Sequence, residues 1–169
     1  MDKFGVDTLI NTGIAGSLDA RIDIGDMVIS TDAVHHDMDA TIFGDAIGQV
    51  PRMDTRTFPA DPHLVELAVK ANEKANPQIH TFTGRVASGD QFISSGEVKA
   101  RIVENFQALC TEMEGAAIAQ VSYLNKVPFV ILRTISDKAD DSATMDYPAF
   151  EKLAIANNVK VMKELVANI

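Results

Sequence analysis

The chain has 169 residues, 46% hydrophobic and 23% charged, with 24 acidic against 15 basic residues and a formal net charge of −9. This length suits a single domain, residues 1–169, with a core that needs no disulfide or structural metal. The acidic balance, with no basic patch to reverse it, argues against nucleic acid and membrane surfaces as partners.

The single cysteine, Cys110, can form no internal disulfide, which fits a reducing cytoplasm. No run has the pattern of a secretory leader or the length of a membrane span. With 6% aromatic residues and no Trp, a stacking platform for single-stranded nucleic acid is not expected either.

Leu9 and Ile10 read as a short buried strand that breaks into a glycine-containing turn, Asn11-Thr12-Gly13-Ile14-Ala15-Gly16. Residues 22–30 alternate, and a polar stretch through His35, His36, Asp37 and Asp39 follows. Residues 43–58 show no period and read as a long loop. Asp61-Pro62 starts a helix to about Lys74, with Asp as cap, Pro in the first turn and Leu64, Val65, Ala68, Val69 and Ala71 on one face. Residues 79–87 form a strand ending at Ser88-Gly89-Asp90-Gln91-Phe92-Ile93, and Ser95 can cap the next helix. Residues 108–111 are a brief strand, 115–125 a helix of small residues, and 127–132 the strongest strand signal of the chain. A last helix starts near Asp146 and Pro148. Strands alternating with helices predict a layered α/β fold, with a central, largely parallel mixed sheet flanked by helices.

In such folds ligands sit at the carboxyl ends of the strands, where three polar clusters fall. The Asn11 to Gly16 segment is either an ordinary turn or a cradle of backbone amides. It lacks the lysine and the spacing of a nucleotide-phosphate loop. Glu112 and Glu114 straddle Met113 at a helix start. One of them can offset the helix dipole, or a carboxylate there can accept both hydroxyl protons of a ribose diol while the Met113 thioether packs on the sugar. Asp137, beside Ser136 at the end of an apolar strand that also carries Arg133, is either a loop cap or a desolvated general acid with a raised pKa. His35, His36, Asp37 and Asp39 suggest a metal site, but neighbours on an extended strand point to opposite faces, so no metal is expected. Cys110 reads as a small core residue.

Taken in order and at these separations, Asn11 to Gly16, Ser88 to Ile93, Glu112-Met113-Glu114 and Arg133-Thr134-Ile135-Ser136-Asp137 resemble the 5′-methylthioadenosine/S-adenosylhomocysteine nucleosidases of the nucleoside phosphorylase superfamily. The resemblance runs over essentially the whole chain. It implies a nucleoside phosphorylase-like fold and a cofactor-free hydrolysis of the N-glycosidic bond, giving adenine and a 5-thioribose product. This is the chemistry of methionine salvage and of methyl-cycle by-product removal. A homodimer in the cytoplasm is implied as well.

Residue by residue, the resemblance implies that Asp137 is the acid at purine N7, oriented by Ser136. Phe92 stacks on adenine and Ile93 reads its edge through the backbone. Glu114 accepts the ribose hydroxyls, Met113 packs beneath the sugar, and Gly16 marks the turn near the ribose and the attacking water. Tyr147 lines the 5′-alkylthio pocket, while Phe43 and Pro51 reach into it across the dimer interface. Arg133 supports the site, and Ile14 stands where many relatives carry a hydroxyl residue.

The family's water-activating acid lies in an N-terminal segment, roughly the first quarter of the family's length, with no counterpart in these 169 residues. The chain is therefore expected to be an N-terminally truncated form, inactive alone. Phosphorolysis and a non-catalytic nucleoside-binding fragment are the alternatives. An apolar Ile14 in place of phosphate-binding donors favours water over phosphate as the nucleophile.

Overall fold

The computed structural model describes residues 2–169, with the side chains of residue 2 and of residues 144–149 outside the description. The elements follow the order β1 (Leu9–Ser17), β2 (Met27–His35), β3 (Phe58–Pro59), α1 (Pro62–Ala75), β4 (Thr81–Ser88), α2 (Gly96–Phe106), β5 (Cys110–Glu112), α3 (Gly115–Asn125), β6 (Phe129–Asp137) and α4 (Ala143–Val166).

The α/β class is as the sequence predicts, and the sheet adds closure. Parallel ladders join β1 to β6, β2 to β4 and β4 to β5, while β1 and β5 pair antiparallel. The ring closes where the first residues of β2 pair antiparallel with β6, from Met27 with Thr134 to Ile29 with Leu132. The remainder of that β2 edge takes the two residues of β3. No periodicity in the sequence reports this closure, because a closed and an open sheet bury the same alternating faces.

Alternation along β6 sorts the core. Val130 and Leu132 pack with Met27 and Ile29 against Leu64, Ala68 and Ala71 of α1 and Val161 and Leu165 of α4. Phe129, Ile131 and Ile135 join Val28, Val86, Cys110 and the small residues Ala116 and Ala119 of α3. A third cluster seats α2, through Ile102 and Phe106, on Val34, Ala87 and Ile93. All nine residues of β6 are buried, as expected of a strand covered on both faces.

Helix α1 begins as its sequence dictates, with the Leu64 N–H donating to the Asp61 side chain at 3.0 Å. Ser95 precedes α2, but its side chain accepts no helix amide. Glu97 places negative charge in that first turn instead. Helix α4 starts at Ala143, ahead of the expected cap Asp146, whose side chain lies outside the described residues.

Two expectations require correction. The Asn11 to Gly16 segment is not a turn but strand, since β1 runs on to Ser17. Its glycines serve close packing: a Cβ on Gly13 would sit 2.8 Å from the Arg133 guanidinium, and one on Gly16 would sit 2.7 Å from Asp137 Oδ1. The polar stretch to His35 is likewise strand, because β4 pairs with it along its length and fixes the backbone whatever the side chains prefer. The loop between β2 and β3 is wound on itself, with Gln49 Nε2 donating to the carbonyls of Met53 and Thr55 at 2.8 and 3.1 Å.

Candidate active site

The carboxyl ends of β1, β5 and β6 and the segment after β4 meet at one cleft of about 380 Å³. It is lined by Ile14 and Gly16, by Phe92 and Ile93, by Met113 and Glu114, and by Ser136 and Asp137, with Glu112 and Thr111 in its wall. Nine residues singled out in the sequence, Glu112 among them, therefore share one cavity, although they come from four separate segments. Arg133 lies behind the wall. Phe43 and Pro51 are exposed and outside the cleft of their own chain, and the Tyr147 side chain is outside the described residues.

Asp137 reaches the cleft through an irregularity. Ala15 pairs with Ile135, but Gly16 pairs with Asp137, so Ser136 is the extra residue of a bulge. Bulges of this kind re-aim side chains at strand ends. The Asp137 carboxylate accepts from Ser136 Oγ at 2.8 Å on one oxygen and from the Ala139 N–H at 2.8 Å on the other. It is buried, and the missing side chain of Gly16 leaves the room for it.

The two glutamates differ in their surroundings. Both oxygens of Glu112 accept from the Gly115 N–H, at 2.8 and 3.0 Å, so Glu112 is the residue that satisfies the start of α3. Ser88 Oγ also donates to Glu112, as do Nε and Nη2 of Arg133. Glu114 makes no cap, and its side chain stays 65% exposed at the cleft. Arg133 Nη2 stands 3.7 Å from Glu114 and donates to Asn11 Oδ1.

The buried guanidinium thus ties β6 to β1, β5 and the cleft rim. Glu112 carries the larger structural part in this network, which its sequence position next to an apolar strand does not announce. Neither its neighbour Ser88, which accepts from the Ala116 N–H at 2.7 Å, nor Asn11 stood out in the sequence as a partner of the charges. Cys110 is a core residue as expected, and burial pushes its thiol well above the ordinary range. Among the described residues no group of three or more His, Cys, Asp or Glu could hold a metal ion, and no helix is long and apolar enough to cross a membrane.

A closed mixed sheet with an acid and an aromatic ring at one strand-end cleft defines a small-molecule site of the phosphorylase superfamily, which the chain matches over residues 1–167. The 5′-methylthioadenosine/S-adenosylhomocysteine nucleosidase of Desulfotalea psychrophila is 45% identical over 168 residues, spanning 98% of this chain and 70% of that protein. The crystal structure of the Neisseria meningitidis nucleosidase in complex with methylthio-immucillin-A superposes with a TM-score of 0.94 at 40% identity, covering 99% of this chain and 72% of that one. The Colwellia psychrerythraea nucleosidase in complex with adenine gives 0.91 at 36%, covering 98% and 69%. The chain belongs to the 5′-methylthioadenosine/S-adenosylhomocysteine nucleosidases.

Proposed function

We propose that the cleft binds 5′-methylthioadenosine or S-adenosylhomocysteine and hydrolyses its N-glycosidic bond. The observation that carries this reading is that the Asp137 and Glu114 carboxylates line one cavity with the Phe92 ring. Phe92 stacks on adenine and the Ile93 backbone reads its edge. Asp137, oriented by Ser136, delivers a proton to purine N7 as the C1′–N9 bond breaks and its electron pair passes to the base. Water adds to C1′ as its proton passes to an activating carboxylate, and proton exchange with solvent then returns both carboxyl groups to their starting states, leaving adenine and the thioribose. Glu114 accepts the ribose hydroxyls, Met113 packs beneath the sugar, and Gly16 lies beside the ribose. Arg133 supports Glu114 from behind.

Water rather than phosphate is the nucleophile in this reading. Among the described residues that line the cleft there is no Lys or Arg, and the Arg133 guanidinium, 1% exposed, is engaged with Glu112 and Asn11. Ile14 adds an apolar side chain where phosphate would need donors. Activation of the water falls to a carboxylate of the relatives' segment outside the match.

Ile42 and Phe43 stand 88% and 86% exposed. A homodimer in which Phe43 and Pro51 of one copy cover the 5′ end of the other's cleft, with Tyr147, gives these apolar side chains a role. A cytoplasmic location suits the free Cys110.

The test is to incubate 5′-methylthioadenosine in phosphate-free buffer with the chain and the N-terminal segment of a relative, and to separate the products by chromatography. Adenine and methylthioribose support hydrolysis. A ribose phosphate that forms only after phosphate is added would replace it with phosphorolysis.

A further inference from the structure

We propose that His36 and Asp37, just beyond the end of β2, are positioning residues that fix the backbone of Gly89 and Asp90 and so set where Phe92 and Ile93 stand in the cleft. The inference rests on the reading of that cleft as an adenine site. Residues 89–95 belong to no strand or helix, so no regular ladder holds the base platform. Specific contacts do.

The His36 N–H donates to the Ser88 carbonyl at 2.8 Å, continuing the β2 to β4 ladder by one step. The Asp90 N–H then donates to Asp37 Oδ2 at 2.7 Å. Between them the His36 ring lies against Gly89 so closely that a Cβ there would be 2.4 Å from its Cε1, 2.5 Å from its Nε2 and 2.8 Å from Asp37 Cγ. From the opposite side the Gly89 N–H donates to the Glu112 carbonyl at 3.1 Å. The turn into the platform is therefore gripped between β5 and the His36-Asp37 pair.

The character of the ring fits this role. His36 is buried, its Nε2 has no hydrogen-bond partner, and burial lowers its pKa, so at neutral pH the ring is uncharged. An imidazole nitrogen left without a partner costs stability. What the ring supplies is its shape against a residue without a side chain. A second hollow of about 350 Å³ has His36, Asp37, Asp39 and Arg101 in its lining, and Gln91 borders both cavities. Gln91 thus separates the two spaces, and Ile93, buried in the third core cluster, is tied to it through a turn whose backbone the His36-Asp37 pair holds.

The experiment is calorimetric titration of adenine into the wild-type chain, Asp37→Ala, Asp37→Asn and Gly89→Ala, with amide hydrogen exchange on each. Asp37→Ala and Gly89→Ala should weaken adenine binding about tenfold, whereas Asp37→Asn, whose amide oxygen still accepts from Asp90, should stay within about threefold of wild type. In Asp37→Ala the amides of residues 89–93 should exchange faster while those of β6 keep their protection. A purely structural role would lower thermal stability without this local pattern or the asparagine rescue. Adenine binding by Asp37→Ala at wild-type strength would overturn the proposal alone. A wild-type chain that binds no adenine would overturn it together with the reading of the cleft.

Discussion

Glu112 and Glu114 stand two residues apart with opposite environments: the Glu112 side chain is 2% exposed and bound to Arg133, and the Glu114 side chain is 65% exposed at the cleft. The strand-to-helix junction places one carboxylate under the first turn of α3 and leaves the other outside it. Their substitutions should separate cleanly. In the chain supplied with the N-terminal segment of a relative, Glu114→Gln should lower kcat/KM for 5′-methylthioadenosine by at least about a hundredfold, roughly 2.7 kcal/mol, with little change in the urea midpoint. Glu112→Gln should leave a buried guanidinium without its countercharge and cost about 3 to 5 kcal/mol in unfolding free energy.

Asp137 should separate chemistry from binding. Asp137→Asn keeps the side-chain shape and an oxygen acceptor for the Ser136 hydroxyl but has no carboxyl proton to give. It should reduce kcat far more than it weakens adenine binding. Calorimetry and steady-state kinetics on the chain supplied with a relative's N-terminal segment check this. Loss of adenine binding with kcat retained at saturation would make Asp137 a binding residue instead.

His36 predicts a pH dependence of stability. Its folded pKa lies below the ordinary 6.5 because burial disfavours the charged ring. As pH falls through 6.5 the unfolded chain takes up a proton that the folded chain refuses, so stability is full above that value and declines towards the lowered folded pKa. His36→Gln should flatten the urea midpoint between pH 7 and pH 5. The carboxylates held low, such as Asp39 by Thr41 and Glu66 by Lys70, act at lower pH and should leave this window unchanged.

Cys110 should report global opening. Its thiol is fully buried and held protonated by burial at neutral pH. Native protein should resist iodoacetamide, and labelling should rise along the same urea curve as the loss of circular dichroism. Rapid labelling in water would show that β5 opens on its own.

What the sequence reveals follows from which interactions are local. Helix α1 is legible because Asp61 and Pro62 specify its start within four residues. Helix α3 is legible as a run of small residues with polar ends, and β6 because both its faces are apolar. The residues that line the cleft are legible as a set because they stand at or just beyond the carboxyl ends of β1, β4, β5 and β6. Strand β1 misleads, since Gly13 and Gly16 carry the local signature of a turn while their reason is the Arg133 and Asp137 side chains more than a hundred residues away. The sheet closure between β2 and β6, the Glu112 to Arg133 pair and the grip of His36 on Gly89 are likewise long-range, and no local pattern encodes them.

The most direct measurement is a calorimetric titration of adenine into the 169-residue chain, repeated with Phe92→Ala. One adenine per chain, displaced by 5′-methylthioadenosine and weakened at least about tenfold by Phe92→Ala, is the expected result. No binding up to millimolar adenine, or equal binding when Phe92 is removed, would contradict the assignment of this cleft as the nucleoside site.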